Sequence, residues 1–326
     1  MKPRVTQMGE RFWIPMLTLV VMAGCVSQPS ATNRSQAISF DMAVATATDD
    51  LMAQTQRMPA FLGKIESQLS KGVIVVDPML DGVTGQQTVV SQLMEQKVTE
   101  RVRARYPQFQ VLPLDFGSLP NAQYVLIGMI SREPGGGTAA STFQISLALV
   151  DLKSAKVAAQ AGARSRDDGL DTNPTPFYRD SPVITRDMIV DGYIRTSTTA
   201  PGSAADQAYL QQMSLSALLT NALRAYNEGR YGDAVSLYQQ AAGRPDGQQL
   251  RVLSGVYLAH WQLGQTAEAE QAFAKIVGRG LASNSLNIKF LFKPNTTEFP
   301  ADPTSAAPIP SGCGRSPGRP EPAASA

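Results

Sequence analysis

The chain has 326 residues, of which 43% are hydrophobic and 17% are charged, and its formal net charge is +2. At about 150 residues per domain, this length corresponds to about two folded units. The 29 basic and 27 acidic residues form no basic block, so a nucleic-acid partner is not expected. One histidine and two cysteines argue against a metal centre of His and Cys ligands, a histidine-based triad and a disulfide framework. We therefore expect a protein that is not an enzyme and has no catalytic residue, metal or cofactor.

The first twenty-five residues carry the pattern of a bacterial export signal. Three basic residues, Lys2, Arg4 and Arg11, precede the apolar run Phe12–Ala23. A run of about twelve residues is too short to cross a bilayer as a helix, which takes about 20 residues. Its length and its basic flank are typical of a secretory signal peptide, here over residues 1–24.

The apolar run ends in Met22-Ala23-Gly24-Cys25, which resembles the lipobox of bacterial lipoproteins, with Met22 where that family usually has Leu. The resemblance implies that Cys25 becomes the lipidated first residue of the mature chain. Because Val26 rather than Asp follows the cysteine, it also favours the outer membrane over the inner one. We expect a protein anchored to the periplasmic face of the outer membrane by acyl chains, each buried CH₂ contributing about 0.8 kcal/mol. The alternative is an ordinary buried cysteine after a short hydrophobic helix.

Residues 37–165 have the pattern of an α/β or α+β sandwich domain, which follows a polar tether over residues 25–36. The β-branched run Gly72–Val76 is typical of a strand covered on both faces. The segment Phe143–Asp151 alternates, which predicts a strand with one exposed face. The other predicted elements are helices Met42–Gln56, Phe61–Leu69 and Gln86–Arg105 (apolar stripe Val90, Leu93, Met94, Val98, Val102), strands Phe109–Leu112 and Tyr124–Ile130, and the hairpin strand Val157–Gly162.

The order of these strands and a few short signatures resemble a group of periplasmic lipoprotein domains over residues 70–165. The group comprises curli-secretion lipoproteins, flagellar FlgO-type proteins and lipoprotein activators of penicillin-binding proteins. The resemblance implies a role in envelope assembly and no catalytic centre. The signatures are Val-Ile-Val-Val-Asp ending at Asp77, Thr84-Gly85, Tyr106-Pro107, Tyr-Val-Leu-Ile-Gly ending at Gly128, and Leu-Val-Asp-Leu ending at Leu152.

A repeat with a spacing of thirty-five residues lies within residues 207–282, after a Pro- and Gly-rich segment, 166–206, that predicts an irregular connector. The repeat resembles the tetratricopeptide repeat (TPR), whose period is about 34 residues. The resemblance implies two helix pairs, Leu215–Ala242 and Leu250–Gly278, that form a small all-α domain. The repeated residues are Gly229, Ala234, Tyr238 and Ala241 in the first copy and Gly264, Ala269, Phe273 and Ile276 in the second.

Stacked helix pairs of the TPR family bind peptides or helices on a concave face. We therefore expect a periplasmic or outer-membrane protein as partner, with Asn221, Ala225, Tyr257 and His260 on the binding face. The alternative is a structural helical domain, because about three repeats are normally needed for a stable stack.

The C-terminal part begins with an alternating segment, Asn287–Phe299, within residues 283–302. This segment resembles the first strand of an OmpA-like peptidoglycan-binding domain, which implies peptidoglycan as a ligand of a full-length form. Residues 303–326 are rich in Pro, Gly, Ala and Ser and contain Cys313, a composition that predicts a disordered tail. The abrupt change suggests a chain truncated or frameshifted after about Pro303.

A different function is suggested by Asp77 and Gly128. Asp77 directly follows a buried strand, and α/β proteins bind ligands at the carboxyl edge of the sheet. This interpretation predicts a small-ligand or regulatory protein with a polar pocket in the α/β domain. The run Gly135-Gly136-Gly137 favours a flexible loop over a phosphate-binding loop, since no Lys-Ser/Thr follows it. A pore-forming subunit would need long amphipathic strands that residues 166–206 do not contain.

Overall fold

A mixed β-sheet organises the first half of the fold. The computed structural model describes residues 36–55, 71–133, 141–184, 186–283 and 287–289. The six strands are β1 (Gly72–Val76), β2 (Leu80–Asp81), β3 (Phe109–Pro113), β4 (Tyr124–Glu133), β5 (Thr142–Asp151) and β6 (Lys156–Arg166). Every strand predicted within residues 37–165 is present, and β4 and β6 each extend further than predicted.

The strands lie in the order β3-β1-β4-β5-β6. β1 runs parallel to β3 and β4, whereas β4, β5 and β6 form an antiparallel meander. The short strand β2 also pairs with β4 in parallel, beyond the end of β1. The prediction that β5 has an exposed face is wrong. All six residues from Ile145 to Val150 are buried, because helices cover both faces of the sheet.

Helices α1 (Phe40–Thr55) and α2 (Val89–Arg105) cover the first face of the sheet. α2 begins three residues later than predicted, since the Thr88 side chain accepts from the Ser91 N–H (3.3 Å) and Ser91 Oγ accepts from the Thr88 N–H (2.9 Å). Leu93 is 37% exposed, so its predicted place in the apolar stripe is wrong. The strands contribute Ile74, Val76, Phe109, Val111, Leu126, Ile145, Leu147 and Leu149 to this core.

The second face of the sheet is covered by a segment that was predicted to be irregular. Residues 166–206 contain helices α3 (Pro176–Asp180) and α4 (Met188–Ser197), and α5 (Gln207–Gln211) follows directly. The segment is therefore not irregular throughout, and apolar side chains of it pack against the sheet, among them Val190 and Tyr193 of α4. On the sheet side, this core contains Val75, Leu80, Leu114, Val125, Ile127, Ala148, Val150 and Val157.

Four longer helices complete the described fold. They are α6 (Met213–Asn227), α7 (Tyr231–Ala242), α8 (Leu250–Gln262) and α9 (Thr266–Ala282). Each packs against the next, and α6 also contacts α8. Met213 and Ala217 of α6 belong to the core on the second face of the sheet, whereas the other buried apolar residues of α6 belong to the core of the four helices. The protein is therefore an α/β sheet region followed by helices.

The two helix pairs turn in the same way. Between α6 and α7, the Gly229 N–H donates to the Tyr226 carbonyl (3.0 Å) and the Arg230 N–H donates to the Ala225 carbonyl (2.8 Å). Gly229 has a φ of +74°, a left-handed conformation that favours glycine. Between α8 and α9, the same pattern recurs thirty-five residues later, with bonds from Gly264 to Trp261 (2.9 Å) and from Gln265 to His260 (3.0 Å) and a φ of +71° at Gly264.

The buried positions of α7 and α9 also correspond at this spacing. The small residues Ala234 and Ala269 are fully buried, and an aromatic ring follows each of them four residues later. The matched aromatic residues are Tyr238 and Phe273, and the next buried pair is Ala241 and Ile276. Both pairs therefore use corresponding positions for the turn and for the contact between their helices.

Several predicted features lie outside the described residues. These are the signal peptide with Cys25, the helix Phe61–Leu69, the glycine run 135–137 and the tail 303–326 with Cys313. Of the predicted C-terminal strand, only residues 287–289 are described. There Ile288 pairs with Val183 in an isolated antiparallel bridge.

We expect Gly255→Ala to destabilise the four-helix region. A Cβ at Gly255 would lie 2.2 to 2.4 Å from three ring carbons of the buried Tyr238, and overpacking of this kind costs about 1–3 kcal/mol. Gly278→Ala, in the interior of α9, is the matched control because its Cβ would meet nothing within 4 Å. The control should gain about 0.5–1 kcal/mol through helix propensity. Urea unfolding of both variants measures the difference, and an equal effect of the two would contradict this packing.

Candidate functional site

The structure brings few of the predicted partner-binding residues to the surface. Ala225, Tyr257 and His260 are buried, and only Asn221 is partly exposed. Ala225 and Tyr257 belong to the core of the four helices, where Tyr257 packs against the ring of Phe273 (centroid distance 5.4 Å). Ala225 and Tyr257 thus hold the helices together in this structure, whereas His260 reaches the wall of a surface groove, and the role of the four residues in partner binding stays a prediction.

His260 is held by two glutamines. Its Nδ1 lies 2.5 Å from Gln265 Oε1, and its Nε2 lies 3.1 Å from Gln239 Nε2. The imidazole thus bridges α7, α8 and the residue that precedes α9.

The helices form a groove beside His260 on their surface. Its volume is about 380 Å³, and helices α7, α8 and α9 and the turn after α7 form its walls. We call this surface the helical groove and define it by its lining residues. They are Gln239, Ala242, Gly243, Gln248, Leu253, Val256, His260, Glu268, Gln271, Ala272 and Lys275.

A second polar site surrounds Asp77, which lies at the carboxyl end of β1 as the sequence indicates. Asp77 is 7% exposed, and its Oδ2 accepts a hydrogen bond from the Tyr209 hydroxyl (2.7 Å). Burial raises the pKa of Asp77 from 3.8 to about 6, and the Tyr209 hydrogen bond and the charge of Arg251 oppose this rise.

The position of Asp77 costs folding free energy at neutral pH. Because the pKa of Asp77 is higher in the folded protein than in the unfolded chain, protonation of this carboxyl group favours the folded state. This contribution to stability is fully present below about pH 4 and is lost as the pH rises through about 6. A carboxylate kept buried at such a cost is more frequent at functional sites than elsewhere in a fold.

Glu95 of α2 is a second acid with a raised pKa near this site. Burial raises its pKa to about 7, and the nearby charge of Asp77 contributes to the rise. Its Oε2 accepts from the Met79 N–H (3.1 Å) and from the Gln87 side chain (3.3 Å). The sequence did not indicate Glu95, because a glutamate on an amphipathic helix is usually solvated.

Tyr193 fills a gap in the sheet next to Asp77. The pairing of β4 with β1 ends at Leu126 and its pairing with β2 begins at Met129, so Gly128 has no strand partner on this side. The Tyr193 hydroxyl accepts from the Gly128 N–H (2.9 Å) and shares its proton between the carbonyls of Gly128 (2.9 Å) and Pro78 (3.0 Å). Gly128 itself has no room for a side chain, since a Cβ would lie 2.6 Å from Leu147.

A cavity of about 60 Å³ adjoins Asp77 between the sheet and the helices. Part of its wall is apolar, with Leu80, Val190 and Leu219. The groups with polar atoms on the wall are Asp77, Tyr178, Tyr193, Tyr209, Ser216, Thr220 and Arg251. The cavity therefore joins the predicted strand edge to helices that the sequence assigned to a separate domain.

Arg251 is the basic group of this cavity. Its Nε donates to Gln249 Oε1 (3.0 Å) and lies 3.7 Å from Asp187 Oδ2, and its buried Nη2 has no hydrogen-bond partner. Sequence reasoning missed Arg251 and the tyrosines, because they are distant from Asp77 along the chain and follow no local motif.

The described residues contain no group of three His, Cys, Asp or Glu side chains that could hold a metal ion. None of the helices within the described ranges is long and apolar enough to cross a membrane.

Comparisons with known proteins assign no family to the chain. No protein-family model matches it, and no curated protein is significantly similar to it. Among solved structures, a protein of family DUF330 from Xanthomonas campestris is similar over 47% of this chain and 83% of its own, with 11% sequence identity and a TM-score of 0.21. At this TM-score the similarity identifies neither a fold nor a function.

We expect Tyr193→Phe to lower the free energy of unfolding by about 1–3 kcal/mol, because it leaves the buried Gly128 backbone groups without their partner. Tyr238→Phe is the matched control, since the buried Tyr238 hydroxyl has no hydrogen-bond partner. Its removal should change the stability little or increase it. Urea unfolding of the two variants tests the assignment, and equal losses would contradict it.

Proposed function

We propose that this chain is a lipoprotein of the bacterial outer membrane that faces the periplasm and binds a protein partner through its helices. In this proposal it acts as a scaffold in envelope assembly or secretion and performs no catalysis. The observation that carries the proposal is the repeated helix pair, with the same turn and the same buried positions at a spacing of thirty-five residues. The α/β region is then a domain of the envelope-assembly type that the sequence resembles.

The repeated pairs are proposed to be two TPRs. Small residues at the helix crossing, an aromatic residue four positions later and the contact of α6 with α8 support this assignment. Two repeats are fewer than such a stack normally needs. Here α3 and the sheet region supply further contacts, since Phe177 of α3 packs against the rings of Tyr226 and Tyr238 (centroid distance 5.8 Å in each case).

The helical groove is the surface proposed to receive the partner. Its exposed rim is polar and of mixed charge, with Gln239, Gln248, Glu268, Gln271 and Lys275, and its floor contains the apolar Leu253 and Ala272. A rim of this composition around an apolar floor suits a peptide or helix with both polar and apolar side chains.

The lipid anchor at Cys25 and the peptidoglycan-binding extension stay proposals from the sequence. The lipobox resemblance supports the anchor, and the alternating segment from Asn287 supports an OmpA-like domain in a full-length form.

Photocrosslinking in intact cells tests partner binding. A photoreactive residue at Gln239 or Gln271 should crosslink the same envelope protein, because both side chains line the helical groove. The adjacent exposed residues Gln240 and Glu270 do not line it and serve as matched controls. Equal crosslinking at all four positions, or none at the first two, would contradict the proposal.

Palmitate labelling tests the anchor. Cys25→Ser should abolish the incorporation of labelled palmitate and release the protein from the outer-membrane fraction, because the thiol is the acylation site. Cys313→Ser removes the other cysteine of the chain and should keep both properties. If Cys25→Ser still carries the label, the lipobox assignment is wrong.

A further inference from the structure

The cavity beside Asp77 is lined by an acidic and a basic side chain, Asp77 and Arg251, that form no ion pair with each other. Asp77 is bonded to Tyr209, and the ion pair of Arg251 is with Asp187, not with Asp77. The charge of Arg251 nevertheless acts on Asp77, so the two groups lie within electrostatic range of one another. The void of about 60 Å³ lies between elements that carry both groups.

The Nη2 atom of Arg251 is buried and unpaired, which is costly for a guanidinium. Arg251 also lies in the first turn of α8, a helix of thirteen residues whose N-terminus favours negative charge. Both features favour an anionic group in the cavity close to Arg251.

An anion alone would also meet the buried carboxyl group of Asp77, and a cation alone would meet Arg251. A ligand that carries both charges satisfies both residues, because its carboxylate can accept from Arg251 and its ammonium group can donate to Asp77. Ser216 and Thr220 add hydroxyl groups to the wall of the cavity, which Tyr178 and Tyr209 also line.

The volume restricts the size of this ligand. A water molecule needs about 10–15 Å³ of such space, so a cavity of about 60 Å³ has room for about four to six water molecules or a ligand of similar size. Glycine, with five heavy atoms, matches this volume, and alanine adds one methyl group.

We propose that this cavity is a binding site for a small zwitterionic amino acid, with Arg251 holding its carboxylate and Asp77 its ammonium group. The site goes beyond partner binding at the helical groove and does not depend on it. Of the helices that line the groove, only α8 also contributes to the cavity.

Thermal unfolding of the full purified chain tests the proposal, with glycine or L-alanine at millimolar concentration as probe. Glycine should raise the Tm in a saturable manner, because a ligand that binds only the folded protein stabilises it. Acetate and methylammonium, which each carry one of the two charges, should raise it much less. Glycine betaine, a zwitterion without N–H donors, controls for a general osmolyte effect.

Variants test whether the rise in Tm comes from glycine bound in the cavity. Arg251→Ala and Asp77→Asn should each weaken glycine binding by about thirtyfold or more, the loss expected when one partner of a buried charge pair is removed. Asp77→Asn keeps an oxygen that can accept from Tyr209, so it tests the charge with little change in shape. Arg244→Ala is the control, since Arg244 pairs with Asp246 and does not line the cavity.

Three outcomes would overturn the proposal. The first is that neither glycine nor alanine raises the Tm, which would indicate a cavity filled by water. The second is that glycine raises the Tm of Arg251→Ala as much as that of the unchanged protein. The third is that acetate raises the Tm as much as glycine does. Partner crosslinking at Gln239 is an independent readout, so failure of this site and failure of the partner-binding proposal can be told apart.

Discussion

The central sheet is apolar on both faces, and the positions of the surrounding helices follow from the need to bury both. In β1, Ile74 and Val76 face α1 and α2, while Val75 between them faces the opposite layer. Burial of apolar surface is worth about 25 cal/mol per Å², so neither face can remain open to water. The chain supplies α1 and α2 for one face and returns after β6 with α4 and α5 for the other.

The second layer also attaches the helical region to the sheet. The start of α6 packs on the sheet through Met213 and Ala217, and the same helix continues into the core of the four helices. The repeated helix pairs are thus supported by the sheet region, which explains how two pairs can form a folded unit. This junction also creates the cavity beside Asp77, because the strand end, α4, α5, α6 and α8 meet there without filling all of the space.

Helix α8 connects the two candidate sites. Arg251 in its first turn lines the cavity, and His260 near its end lines the helical groove. At a rise of 1.5 Å per residue, these positions lie about 14 Å apart along one helix. Its packing is tight, since Tyr238 covers Gly255 in its middle. The two sites therefore share one well-packed element while facing different surroundings.

The sequence by itself determined strands β1 and β3 to β6, the four longer helices and the spacing of the repeat, because hydrophobic periodicity and turn glycines act over a few residues. It also placed Asp77 at the end of a strand. Only the tertiary structure decided the role of residues 166–206, the burial of Ala225, Tyr257 and His260, and the meeting of Asp77 with Tyr209 and Arg251. These features depend on contacts between residues far apart in the chain, and such contacts leave no pattern in a local stretch of sequence.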